Sequence, residues 1–183
     1  RVELIVDVRH MPRSRTNPQF NREILPEELS RFQIGYVHLA ALGGLRNRPP
    51  GLEISPNPLW ENSSFRNYAD YAMTEQFQKG LTELRDLGHK RCSAVMCAEA
   101  VWWRCHRGLI ADALRWAGFE VHHVQGPGLV TPHPFTSAAR LVSGQLTCAP
   151  RCPAARLLLH PGRPEIRRHV RHQRADDLAV GLV

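Results

Sequence analysis

The feature that most constrains this chain is a set of short apolar runs separated by segments with helical spacing. ELIVDV (Glu3 to Val8), YVHL (Tyr36 to Leu39), CSAVMC (Cys92 to Cys97) and EVHHV (Glu120 to Val124) are four to six residues long and bounded by polar or turn-forming residues. Such runs read as strands buried in a parallel sheet. Between them, Pro26-Glu27-Glu28-Leu29 opens a helix that ends by Gly35, with proline and acids placed where a helix start favours them. Phe65 to Leu87 carries apolar residues at helical intervals (Tyr68, Tyr71, Ala72, Phe77, Leu81 and Leu84), predicting one or two helices stopped by Gly88. Leu109 to Ala117 predicts a further helix ending at Gly118. Strands alternating with helices describe an α/β layer architecture with a mainly parallel sheet.

With 183 residues, 43% of them hydrophobic and 22% charged, the chain is expected to form one α/β domain over residues 1–150, followed by a basic tail over 151–183. No apolar run is long enough to span a membrane, and RVELIVDVRH is not read as a signal peptide. Because the chain opens directly on a strand, further residues are expected before Arg1. Five cysteines without a secretory signal predict a reducing, cytoplasmic setting and no disulfide framework. Neither Cys97 with Cys105-His106 nor Cys148 with Cys152 reproduces paired Cys-x-x-Cys knuckles, so neither a metal nor a cofactor is expected.

The net charge of +7 favours a polyanionic partner, although +4 of it lies after Pro150, where RRHVRHQR (Arg167 to Arg174) is either a nucleic-acid contact or a solvated end. The stretch from Leu45 to Phe65 is too long for an ordinary connection and is read as functional or disordered.

In an open α/β sheet, ligands gather at the C-terminal strand edge. Asp7, Arg9, Cys97 and Glu99 are expected at that edge, with Cys105, His106 and Arg107 at the head of the next helix. Each residue has two readings. Asp7 and Arg9 point the same way along a strand, which makes an ion pair the default. Cys97 is a small core residue or a nucleophile. Glu99 is a general base or the acid that neutralises Arg107. Cys105 and His106 resemble a thiolate–imidazole pair, but neighbours on a helix diverge, so a third group would have to bring them together. His38 and one of His122 and His123 are read as core histidines, and Trp102 and Trp103 as packing or stacking surfaces.

The segments LIVDVRHMPRSRTNPQFN, IGYVHLAALGGLRNRP, NYADYAMT and VMCAEAVWWRCHRGLIADAL, followed by VHHV and HPFTSAAR, resemble in order the family called domain of unknown function 488, over about residues 1–150. The resemblance implies a Rossmann-like domain. It places motif residues Asp7, Arg9, Pro12, Ser14, His38, Leu42, Gly43, Gly44, Tyr68, Tyr71, Cys97, Glu99, Cys105, His106 and Arg107 at one sheet edge. Members of the family begin about twenty residues earlier, with a Gly-His-Ser-type motif that this chain lacks.

The resemblance also implies an association with excision of 5-substituted uracils, such as 5-hydroxymethyluracil, from DNA. On that expectation the chain is a monofunctional DNA glycosylase and its partner is double-stranded DNA with a flipped base. Asp7 or Glu99 would stabilise the sugar cation. Arg13, Ser14, Arg15, Arg22, Arg46 and Arg48 would follow the backbone, with Trp60, Phe65, Trp102 or Trp103 stacking or wedging. His38, Gly43, Gly44, Tyr68 and Tyr71 would form the base pocket. Lys79 and Lys90, the two lysines, lie outside the motifs, which argues for hydrolysis over a Schiff base. Two alternatives stand beside this: a thiol or redox enzyme using Cys97 or Cys105, and a nucleic-acid-binding module without chemistry.

Overall fold

A computed structural model describes residues 1–136, 139–142, 145–148 and 179–182. Four runs pair as parallel strands: β1 (Leu4–Asp7), β2 (Gly35–His38), β3 (Ser93–Met96) and β4 (Glu120–Gly126). Among the described residues the main sheet also takes β5 (Leu129–Pro132) and β8 (Ala179–Leu182), in the order β2-β1-β3-β8-β4-β5. A separate hairpin joins β6 (Ala139–Val142) and β7 (Gln145–Cys148). Among the described residues four α-helices accompany the strands: α1 (Leu25–Ser30), α2 (Ser63–Tyr71), α3 (Glu75–Lys90) and α4 (Arg107–Trp116). The result is a mixed α/β fold of Rossmann-like type, as the alternation of runs predicts.

The strands that place the site are β1 and β3. Val6 and Val95, both fully buried, face each other in register, and Asp7 aligns with Met96 on one side and His38 on the other. The residues following these positions therefore leave the sheet together. The core under them collects Leu4, Val6 and Val95 with Tyr68, Phe77 and Leu84 of α2 and α3 and Ile110 and Leu114 of α4.

Local chemistry explains the helix boundaries. Asn62 caps α2 by accepting from the Ser64 and Phe65 amides, and Thr74 caps α3 by accepting from Phe77. The predicted stop at Gly88 is corrected: Gly88 is buried within α3, which continues to Lys90 because core packing outweighs the cost of one glycine. The antiparallel strand β5 was not anticipated. It follows β4 through a Pro127-Gly128 turn in which Gly128 takes a left-handed φ of 72°.

The 45–62 stretch is tied to the domain rather than left as a free loop. Ser55 Oγ and Asn57 Nδ2 donate to the Asp70 carboxylate at 2.7 and 2.8 Å. Of the tail, Ala179–Leu182 pair between β3 and β4; Cys152 and the Arg167 to Arg174 run lie outside the described residues.

Candidate active site

The chain leaves β1 at Asp7, and the ion pair expected there is present. Arg9 Nε donates to Asp7 Oδ1 at 2.9 Å, Arg9 Nη2 to Oδ2 at 2.6 Å, and Tyr36 Oη also donates to Oδ2 at 2.6 Å. Burial works to raise the Asp7 pKa, but the bonds from Arg9 and Tyr36 outweigh it and hold the carboxyl below its ordinary value. Tyr36 is pushed up by the same burial and the same carboxylate. Asp7 is fully buried, and Arg9 and Tyr36 take up its carboxylate, so the ion-pair reading of this residue describes its contacts. Arg9 also donates to the Phe20 carbonyl, and His38 Nε2 to the Arg9 carbonyl, so these residues fix the loop leaving the strand.

Beyond this brace lies a cavity of about 330 Å³ walled by Arg9, Met11, Gly44, Leu45, Phe65, Tyr68, Cys97, Glu99, Arg104, Cys105 and His106. Its floor is sulfur and imidazole. His106 Nδ1 lies 3.7 Å from Cys105 Sγ and 4.0 Å from Cys97 Sγ. The helical divergence that would separate Cys105 from His106 does not apply, because Cys105 is extended (φ −129°, ψ 146°) and the helix begins only after His106. No third group is needed to bring them together.

His106 Nε2 is 3.1 Å from the Val8 carbonyl. A carbonyl can only accept, so in the neutral ring the proton sits on Nε2 and the Nδ1 lone pair faces the sulfurs. The Arg107 backbone N–H and Nε approach Cys105 Sγ at 3.5 and 3.3 Å. The Cys97 thiol and Arg107 together lower the Cys105 pKa to about 6, against the opposing effect of burial. Its hydrogen bond with Cys105, followed by burial, pushes Cys97 up to about 12. Negative charge on the pair is therefore favoured at Cys105, with the Cys97 thiol as its hydrogen-bond partner. Of the two readings of Glu99, a general base or the acid that neutralises Arg107, the second is not realised through its carboxylate. Arg107 Nη2 donates instead to the Glu99 backbone carbonyl, and the exposed Glu99 side chain stands at the cavity wall.

The glycine motif faces the cluster. A Cβ on Gly44 would sit 2.8 Å from His106 Nδ1, and one on Gly43 3.1 Å from the His10 Cα. Tyr68 Oη donates to the Leu42 carbonyl and Tyr71 Oη to that of Ala41, while Arg46 donates to the Gly43 and Ala40 carbonyls and lies over the Tyr71 ring. Tyr71 and Arg46 thus hold the glycine turn. Tyr68 does this too, but it also lines the cavity.

Residues 1–114 match the family described as "Domain of unknown function DUF488". The chain belongs to this family. The match ends within α4, short of the 150 residues over which the motifs had suggested a likeness. No curated protein matches the chain, nor does any solved structure.

The other expected site residues divide by exposure. Arg13, Arg15, Arg22 and Arg48 are exposed, and Arg48 donates to the Glu53 carbonyl. Ser14 Oγ accepts from Asn17 within the first loop. Trp103 is 57% exposed, while Trp102 stacks on His123 with ring centroids 4.0 Å apart.

A chain of buried polar groups behind Trp102 was missed. His123 Nε2 meets His133 Nδ1 at 2.8 Å, and His133 Nε2 meets Asp112 Oδ1 at 3.1 Å. Burial first, then the neighbouring His133 and Arg107, lowers the His123 pKa to about 4. The members are 10 and 21 residues apart along the chain, and no local pattern links them.

Proposed function

We propose that this chain is a cysteine-dependent hydrolase whose reaction centre is the Cys97–Cys105–His106 cluster and whose substrate presents a planar, base-like group to the cavity. The observation that carries this reading is the convergence of two sulfurs and an imidazole lone pair on the floor of an open cavity, while the carboxylate at the strand end, Asp7, is fully engaged. An ionised sulfur acts either as a nucleophile or as a metal ligand, and both uses require Cys105 and His106. Phe65, half-buried at the cavity wall, offers an aromatic face to a flat ring. The exposed Arg13, Arg15 and Arg22 lie on the loop that starts at the cavity's Met11, where a phosphate backbone would pass, so DNA with an extruded modified base is the proposed partner. Free thiols at the centre fit the reducing cytoplasm.

The test is to incubate the protein with oligonucleotides carrying single modified bases, including 5-hydroxymethyluracil. Abasic sites and altered bases are read by mass spectrometry. Turnover that disappears in Cys105→Ser is the expected result. Turnover that survives in Cys105→Ser but is lost in Glu99→Gln would return the chemistry to the acids and to a glycosylase of the carboxylate type. Binding at low salt with no product across the panel would leave a module without chemistry.

A further inference from the structure

We infer that Cys97 Sγ, Cys105 Sγ and His106 Nδ1 form a binding site for a tetrahedral divalent transition ion, with Zn²⁺ the best match, and that its fourth position opens to the cavity. The three atoms lie within 4.8 Å of one another, and they form the one such cluster of three or more histidine, cysteine or acidic groups among the described residues. Zinc at about 2.3 Å from sulfur and about 2.0 Å from nitrogen holds its ligand atoms roughly 3.5–3.8 Å apart. The observed S···N separations of 3.7 and 4.0 Å need only a few tenths of an ångström of contraction.

Three further observations point to a ligand at this spot. The first is the histidine tautomer. Donation from Nε2 to the Val8 carbonyl leaves Nδ1 bare toward the sulfurs, the outer-shell arrangement that orients metal-ligating imidazoles. The second is Gly44, whose missing side chain keeps the space beside Nδ1 clear; a Cβ there would come within 2.8 Å of that nitrogen. The third is the pair of N–H groups from Arg107 on Cys105 Sγ, which support a sulfur that carries negative charge.

Two thiolates, one neutral imidazole and a divalent cation sum to zero charge, which suits a partly buried site. Three protein ligands and an open position are the pattern of catalytic rather than structural zinc. Resting on the hydrolase reading above, a water in that position, its pKa lowered toward about 7 by the metal, supplies hydroxide. Its oxygen bonds to the substrate carbon, the bond to the leaving group breaks with its electron pair, and the water's proton ends on the leaving group.

The test uses the full chain, stripped of metal by chelation under reducing conditions and titrated anaerobically with Co²⁺. The expected result is one equivalent bound with sulfur-to-cobalt charge-transfer and strong tetrahedral d–d absorption, displaced by Zn²⁺. Cys97→Ser, Cys105→Ser and His106→Ala should each weaken binding at least about tenfold, while Cys92→Ser, outside the cluster, leaves it unchanged. Far-UV circular dichroism confirms that each variant is folded. Zn²⁺ should also shield two thiols from alkylation until EDTA is added. Absence of the sulfur charge-transfer band, or unchanged binding in the Cys97→Ser/Cys105→Ser double variant, would overturn the site. The two proposals fail separately. If cobalt does not bind but Cys105→Ser abolishes turnover, only the metal site falls; if cobalt binds but the cysteine variants retain turnover, only the hydrolase centre falls.

Discussion

Asp7 combines the sequence features of a catalytic acid with the contacts of a structural brace. It ends a strand at the ligand-bearing edge of the sheet, yet Arg9 and Tyr36 occupy its carboxylate. Because its folded pKa is depressed, Asp7 stabilises the fold above the ordinary carboxylate range near pH 4, and that contribution is lost as pH falls through the folded value. Asp7→Ala leaves the Arg9 charge buried without its partner and should cost about 3–5 kcal/mol in urea unfolding at pH 7. Gly44 has the opposite character, since its task is to be absent from a space. Gly44→Ala forces either the turn or the His106 ring to move. It should weaken Co²⁺ binding at least about tenfold, in line with the loss of a ligand-orienting contact, while the far-UV dichroism spectrum stays as it is.

Among the elements, β1, β3 and the start of α4 build the site, and α3 holds the glycine turn against them. Gly80 lets α3 approach that turn closely: a Cβ there would lie 2.8 Å from Ala41 Cβ and 3.3 Å from Leu42 Cδ2. Gly80→Val should therefore destabilise the fold by about 1–3 kcal/mol through overpacking, read as a shift in denaturation midpoint with an unchanged slope. The Asp112–His133–His123 chain ties α4 to β4 and to the segment after β5. His123 is held neutral with its pKa near 4, so the unfolded chain takes up that proton first as pH drops. Stability from this group is complete above the ordinary histidine value near 6.5 and declines from there toward pH 4. A series of Tm values from pH 7 to 4 should fall over that window, and the His123→Gln series should fall less steeply.

For the molecule as a whole, what could be read from the sequence depended on range. The parallel strands were legible because Leu4, Val6, Val95 and Val121 sit in runs that only a buried strand explains. Strand β5 and the slot filled by β8 were not, since the two-residue apolar stretch Leu129-Val130 is too short to mark a strand and β8 lies far from its neighbours in sequence. At the site, Cys97, Cys105, His106 and Arg107 were all visible as candidates. Their meeting was hidden, because helical geometry was assumed for a cysteine that is in fact extended. The metal reading was set aside on ligand spacing, a criterion suited to zinc knuckles but not to ligands delivered by a strand end and a helix start. The proposal for the site is that sulfur and imidazole, rather than carboxylates, carry the chemistry. Its most direct test is kcat/KM on whichever modified-base oligonucleotide is turned over, compared between Cys105→Ser and Glu99→Gln. The cysteine variant should lose at least about a thousandfold and the glutamate variant less than about tenfold; the reverse order would place the chemistry on the carboxylate.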